Sequence, residues 1–319
     1  SMPTTFSYFN QRLAGGNPFS QRDRSMAKNN GVNVNGTAFM NITPIKQVTF
    51  TSRLGYRLSF SNSSDWEFPY YLNAQTKGDN YKISGSSSNS TWYQWENFVN
   101  YNQDFGKHSV GAMAGMSYRQ NDSNGVNASA SGSDILKAYS SNFIYLDCVN
   151  GNKDTSKSIG GVPNTTRALS YFGRLTYSYD DRYSLQANFR ADAFDSSKLS
   201  SDNRWGHFFS TSVGWTFSNE KFFKDNIDPS IMSFGKLRAS WGQNGNVNVL
   251  NNCAYTAGIA TNGQWYQYGT TNQVTYGSMP NGIANPNLTW EKSEQIDLGL
   301  DMRFLNNRLS IGLDWYKKT

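Results

Sequence analysis

The chain has 319 residues and a formal net charge of +6, with 15% aromatic but only 16% charged residues, and a mean hydropathy of -0.64. A soluble enzyme carries about 25% charged residues; here polarity comes from Asn, Ser, Thr, Gln and Tyr, which suit strands and loops better than helices. Lys and Arg are scattered without a basic run or stripe, which argues against a nucleic-acid partner, and the absence of any run of about 18 apolar residues excludes a membrane-spanning helix but not a membrane β-barrel.

At the start, Ser1-Met2-Pro3 shows no basic segment followed by an apolar one, and Ser before Met reads as a cloning scar. The chain is therefore expected to be a piece of a longer protein. Strands are expected near 32–43, 46–60, 91–104, 107–119, 169–180, 182–195, 204–217, 234–243, 289–304 and 307–317, about ten in all. In the second, Val48, Phe50, Leu54, Tyr56, Leu58 and Phe60 oppose Thr49, Thr51, Arg53, Arg57 and Ser59. The pattern is clearest after the Asp180-Asp181 turn, where Tyr183, Leu185, Ala187 and Phe189 oppose Ser184, Gln186, Asn188 and Arg190. Near the end, Ile296, Leu298, Leu300 and Met302 oppose Gln295, Asp297, Gly299 and Asp301. A period of two means that one face meets an apolar medium and the other a polar one.

Connection lengths alternate. Short turns fall at 43–46, 105–106, 180–181 and 305–307, with a medium connection at 218–233, while polar segments at 61–90, 120–168 and 244–288 are long. A membrane barrel has this asymmetry, with short periplasmic turns and long extracellular loops. The expected strands of ten or more residues also exceed the usual five or six and match the nine to eleven or so needed to cross a bilayer at a tilt. In hydrocarbon every backbone N–H and C=O must pair, so only helices and closed sheets cross. The competing architectures are a soluble β-sandwich or β-helix, and the competing function is a secreted β-rich adhesin or carbohydrate-binding module.

The two cysteines, Cys148 and Cys253, fit no metal spacing; they would form a disulfide in an exported protein or remain two loop thiols. Asp65 with Glu67 and Asp297 with Asp301 are paired carboxylates on paper, but in a barrel lumen such groups pair with arginines such as Arg303. No catalytic residue, metal site or cofactor is expected. Ser84–Ser90 and Gly125–Ser133 are low-complexity stretches expected to be loop tips.

The candidate binding residues are Trp66, Tyr70 and Tyr71 in one long segment, and Trp265, Tyr266 and Tyr268 in another, with Asn246 beside them. An aromatic face offers a flat apolar platform to the C–H face of a sugar ring, and amides offer fixed partners to its hydroxyls. The same rings would serve equally to fold the loops together.

Several stretches resemble the barrel of SusC-like (RagA/SusC family) TonB-dependent outer-membrane transporters: YQWENFVNYNQDFGKHSVGAMAGMSYR (93–119), YFGRLTYSYDDRYSLQANFRAD (171–192), NRWGHFFSTSVGWTFSNEKFF (203–223), KLRASWGQNGN (236–246) and IANPNLTWEKSEQIDLGLDMRFLNNRLSIGLDWYKKT (283–319). The resemblance implies an all-β fold, an antiparallel transmembrane β-barrel segment of about ten strands from a barrel of roughly 22 strands. It implies that residues 1–319 are part of one barrel domain, with the plug and signal peptide outside the sequence and the final strands missing. It further implies a cell outer membrane location, import of oligosaccharides or, as the alternative, peptides, a SusD-like surface lipoprotein as partner, and energy from the TonB complex.

Overall fold

A computed structural model of the chain describes residues 19, 22, 24–71, 77–133, 146–148, 156–195, 197–251, 253–268 and 273–319. The strands are β1 (Ser25–Ile45), β2 (Val48–Glu67), β3 (Tyr70–Tyr71), β4 (Lys77–Gly78), β5 (Tyr81–Phe105), β6 (His108–Gly132), β7 (Ser156–Gly160), β8 (Asn164–Tyr179), β9 (Tyr183–Phe194), β10 (Trp205–Trp215), β11 (Met232–Asn246), β12 (Gly258–Tyr268), β13 (Gln273–Asn281), β14 (Glu291–Phe304) and β15 (Leu309–Lys318). Ten of them follow one another in a single hydrogen-bonded order, β1-β2-β5-β6-β8-β9-β10-β11-β14-β15, and β7 adds an eleventh strand beside β6. The pairs β8–β9, β9–β10, β10–β11, β11–β14 and β14–β15 are antiparallel. The expected fold class stands: an antiparallel sheet in which each long strand pairs with the next.

Contacts divide the chain into two compact units, residues 1–37, 55–93 and 120–165 in the first and 38–54, 94–119 and 166–319 in the second. In the first, β2 runs to Glu67, β5 starts at Tyr81, β6 runs to Gly132 and β8 starts at Asn164. Much of what reads in the sequence as long loop is therefore strand, including Ser84–Ser90 and most of Gly125–Ser133. Serine and asparagine occupy both faces there, so the hydrophobic alternation that announces a strand is missing. The side chains pair across strands instead: Ser63 and Ser86 hydroxyls lie 2.7 Å apart, and Ser90 donates to Asn121 Oδ1 at 3.1 Å. Trp66, Ile83, Ala130 and Cys148 form a small buried cluster, flanked by Phe68 and Leu146. Cys148 is buried in this unit, and Cys253 in the second unit is exposed.

In the second unit the short connections share one edge of the sheet and are tied to one another through the backbone. Asp180 N donates to Lys107 O at 2.7 Å, Thr216 N to Arg182 O at 2.7 Å and Leu305 N to Ile231 O at 3.1 Å. The β8–β9 turn uses Asp180 and Asp181 at φ 50° and 51°, the left-handed pair of a tight hairpin whose twist matches its strands. The longer connection from β10 to β11 carries a single helical turn, α1 (Lys221–Lys224). It is held down by Glu220, which is 9% exposed. Its Oε1 accepts from the Tyr183 hydroxyl at 2.6 Å and Trp215 Nε1 at 3.2 Å, and its Oε2 from Arg182 Nη1 at 3.0 Å. Arg182 Nη2 also donates to Asp180 at 2.6 Å, and Asp180 takes Lys107 at 3.1 Å.

The two faces of this unit differ as the alternation requires. Leu185, Phe189, Leu298 and Leu313 remain 45%, 38%, 50% and 58% exposed, so the apolar parity is not the inside of a soluble core. Aromatics bracket this face. Tyr183 pairs with Trp215 at the short-turn end, and ten residues further along β9 Ala193 pairs with Trp205, whose ring stacks on Tyr171 at 5.9 Å. Ten residues span about 33 Å of strand; at the usual tilt of about 40° this is about 25 Å of depth, the height of a lipid-facing band between aromatic girdles.

The opposite parity is polar and interlocked. Arg238 Nε donates to Asp301 Oδ2 at 2.6 Å, and its Nη2 reaches Asp314 Oδ1 at 2.9 Å. To do so the guanidinium lies across Gly299, where a Cβ would come within 2.7 Å of Arg238 Cζ and 2.8 Å of Asp314 Oδ1. The arginine expected to neutralise this carboxylate, Arg303, instead lies over the Phe234 ring at 5.0 Å. Asp301 and Arg303 sit two residues apart on one strand, whereas Arg238 approaches from the neighbouring strand with room above the glycine.

Two outcomes follow. Leu298→Arg should destabilise the full-length protein folded in phospholipid vesicles by about 2–4 kcal/mol in denaturant titrations, while Gln186→Arg on the opposite face should change stability by less than about 1 kcal/mol. The Tyr183 hydroxyl and the Arg182 guanidinium hold the Glu220 carboxyl below the usual glutamate range. A depressed folded value makes the contribution complete above the unfolded value and lost as pH falls through the folded one. Glu220→Gln should therefore lower the unfolding midpoint at neutral pH and converge with the parent under acid, read from paired denaturation curves.

Candidate functional site

The polar face of the second unit is where the sheet can meet a solute. Period-two alternation sends Glu96 on β5, Phe172 and Arg174 on β8, Gln186, Asn188 and Arg190 on β9, and Phe208 and Ser210 on β10 to one side, where they line a hollow of about 630 Å³. A contiguous recess of about 250 Å³ shares Arg190, Asp192 and Gly245 with it and adds Gln94, Ser117, Arg119, Asn246, Asn248 and Trp290. A third hollow of about 620 Å³, lined by Asn102, Asp104, Thr176, Gln186, Ser212 and Lys236, continues the polar face toward the short turns.

The groups in the first two are held in place by neighbours. Arg190 Nε donates to both oxygens of Asp192 at 2.8 Å, and its Nη2 to Ser170 Oγ at 3.0 Å. Arg53 pairs with Glu96 at 3.3 Å, whose other oxygen accepts from Gln94 Nε2 at 2.8 Å. Arg174 Nε donates to Asn188 Oδ1 at 2.9 Å, and Asn188 Nδ2 donates on to Ser210 at 3.0 Å. Phe208 packs edge-on to Trp290 with centroids 5.5 Å apart, and Trp290 Nε1 donates to Arg204 O at 2.9 Å. A wall of oriented donors and acceptors, with aromatic edges between them, can hold a polar solute by hydrogen bonds. By contrast, a hollow of about 910 Å³ is lined mainly by apolar side chains, among them Leu185, Val213, Leu237, Leu298 and Leu313.

In the same unit the connections 195–204 and 247–290 are knitted together: Lys198 Nζ donates to Leu250 O at 2.7 Å, Cys253 N to Ser197 O at 2.7 Å and Asn203 Nδ2 to Pro286 O at 3.0 Å. Leu199 and Val247 are buried beneath them.

The residues singled out from the sequence are distributed as follows. Asn246 lies in the smaller recess, but its amide is engaged, Nδ2 donating to Glu291 at 3.3 Å and Oδ1 accepting from Asn248 N at 2.9 Å. Trp265, Tyr266 and Tyr268 lie on β12, paired with Tyr276, Thr275 and Gln273 of β13 in a separate hairpin; their side chains fall outside the described residues. In the first unit, Trp66 is 8% exposed inside the buried cluster, and the Arg24 guanidinium covers the Tyr70 ring at 3.9 Å. Tyr71 is 69% exposed. Arg24 and Lys82 hold Glu67 at 3.8 and 3.3 Å, which leaves the Asp65 and Glu67 pair in ion-pair and serine contacts.

Sequence reasoning places the binding candidates in loops and gives Arg53, Arg174 and Arg190 only a place on the polar face; the structure brings them together with Glu96, Asp192 and Trp290 along the hollows. The signal for most of them was present, since they fall on the polar parity of strands already recognised.

The chain has counterparts in sequence and in fold among known proteins. Residues 2–319 match the family model for TonB dependent receptor-like β-barrels. TonB-dependent receptor P39 of Formosa agariphila is 28% identical over 322 residues, which is 98% of this chain and 28% of that protein. TonB-dependent receptor SusC of Bacteroides thetaiotaomicron is 40% identical over 148 residues, 46% of this chain and 14% of that protein. The RagAB peptide importer in its open-open state superposes with a TM-score of 0.75 over 98% of this chain and 32% of that one at 23% identity, a likeness of fold. The chain spans less than a third of the length of these relatives.

Trp66→Ala should cost about 3–5 kcal/mol of stability, as large aromatic truncations in packed sites do, whereas Tyr71→Ala should leave the unfolding curve unchanged. Denaturant unfolding of the two variants side by side separates a ring that builds the fold from one available to a ligand.

Proposed function

Because the chain belongs to the TonB-dependent receptor-like β-barrel family, a family of the outer membrane, we propose that the protein to which it contributes imports oligosaccharides across that membrane. The observation that carries this reading is the division of one sheet into an exposed apolar parity, with Leu185 and Leu298 half open, and a polar parity lined with hydrogen-bonding groups. Such a wall passes a hydrophilic solute through an apolar film without exposing either to the wrong medium.

The oligosaccharide assignment rests on chemistry. Amides and guanidinium groups at Gln94, Asn188, Arg190 and Asn248 beside the rings of Phe208 and Trp290 supply the mixture of donors, acceptors and flat apolar edges that sugar rings require. In this proposal Trp265, Tyr266, Tyr268 and Asn246 of the second unit are ligand contacts on its long connection, and Tyr70 and Tyr71 are a separate set of contacts in the first unit, where Trp66 is packed into the local core. A SusD-like surface lipoprotein covers the mouth, and the TonB complex supplies energy through a plug. The second reading, peptide import, is favoured by the likeness in fold to a structure described as a peptide importer.

Calorimetry of the complete transporter with its lipoprotein, titrated with a panel of oligosaccharides and a panel of peptides, decides between them. Heat of binding from at least one oligosaccharide is expected; tight binding of peptides with silence from every glycan would reject the sugar assignment.

A further inference from the structure

The contiguous hollows on the polar face carry an imbalance of charge. Four guanidinium groups line them, those of Arg53, Arg119, Arg174 and Arg190, against two carboxylates, Glu96 and Asp192. Each carboxylate is already committed: Glu96 to Arg53 at 3.3 Å and Asp192 to Arg190 at 2.8 Å. Arg174 has a neutral amide as its partner, Asn188 at 2.9 Å, and among the described residues no carboxylate lies within ion-pair distance of Arg174 or Arg119. Counted over the residues that line the hollows, the wall thus presents two positive charges in excess, with Glu291 set behind Asn246 at 3.3 Å; Arg119 and Arg174 are themselves exposed to solvent, so they draw an anion by a long-range attraction that salt screens.

We propose that the solute drawn along this face is an acidic oligosaccharide, its carboxylate or sulfate groups taken by Arg174 and Arg119. The inference rests on the oligosaccharide reading above and narrows its substrate class. Guanidinium matches both anions, since its planar fork offers paired donors to two oxygens at once. The spacing suits an oligomer. Arg119 lines the smaller recess together with Ala168, and Ala168 and Arg174 stand six residues apart on β8, about 20 Å along the strand. Anionic groups on different sugar units can therefore engage the two arginines together, and the committed pairs at Arg53–Glu96 and Arg190–Asp192 between them offer hydroxyls both donors and acceptors. A neutral glycan would leave the excess charge unanswered. A peptide would reach the same arginines through one C-terminal carboxylate and scattered acidic side chains, so a regularly charged saccharide is the better fit.

The test uses the complete transporter with its lipoprotein, in detergent, titrated with an oligomer of hexuronic acid, its carboxyl-reduced neutral counterpart, a sulfated oligosaccharide of similar length and an acidic peptide. At low salt the uronate or the sulfated oligomer should bind at least about tenfold more tightly than the neutral one, the order of one charge-assisted hydrogen bond, and this advantage should shrink as ionic strength rises. Arg174→Gln and Arg119→Gln should each remove about tenfold of the affinity for the acid and cost the neutral oligomer less, so that the ratio of acid to neutral affinity falls, with retention of the folded band on unheated gels showing an intact barrel. Whether uronate or sulfate responds identifies which anion the pair prefers. Equal binding of the acidic and neutral oligomers, or an acid preference untouched in both variants, overturns this inference and leaves oligosaccharide import standing. Arginine-dependent binding of the acidic peptide with no response from any saccharide overturns both.

Discussion

The structure depends on one constraint: backbone groups placed in hydrocarbon have no water to satisfy them, so each long strand must pair on both sides along its whole membrane depth. Everything else is arranged around that ladder. Consecutive strands pair with consecutive strands because short hairpins are the least costly way to bring antiparallel neighbours together, and the alternating side chains then have no choice but to divide between two media. Leu185 and Gln186 differ by one position in sequence and by an environment in space.

The edge carrying the short turns is built for order. Asp180 and Asp181 accept left-handed backbone angles, Lys107 and Arg182 converge on Asp180, and Glu220 gathers Arg182, Tyr183 and Trp215 at the start of the one connection there long enough to need anchoring. The connections 195–204 and 247–290, in contrast, rely on hydrogen bonds to each other and each bury one apolar side chain, Leu199 and Val247. One edge spends its polar groups on fixing the sheet, the other on shaping a surface that a ligand can meet.

Much of the fold is legible in the sequence because the physics is local. Alternation at 183–189 or 296–302 states strand, face and partner medium together, and the Asp180-Asp181 pair marks its hairpin. The reading is weaker where both parities are polar. Ser84–Ser90 and 120–132 look like loop because serine and asparagine carry no hydrophobic phase, yet they extend strands whose alternating residues follow in one case and precede in the other. The site was harder to see. Aromatic runs such as 265–268 and 66–71 draw the eye, but Trp66 went into the local core and Tyr70 under Arg24, contacts made by residues far apart in sequence. Arg174 and Arg190 look like ordinary wall residues until the register shows which carboxylates stand beside them and which do not. Asp301 teaches the same lesson, since its partner Arg238 comes from 63 positions away and no spacing rule announces it.

Gly299 does more than make room. Backbone hydrogen bonds alone do not distinguish one alignment of two strands from another displaced along the axis, since each displacement restores a full ladder. A guanidinium that can lie flat only where one neighbour lacks a side chain, and that finds its second carboxylate only beyond that gap, works as a key in a slot. Slide β14 by one step and Leu298 or Leu300 would stand where the opening was, with an apolar branch turned toward water as well. The glycine thereby confers alignment on three strands at once, through what it omits.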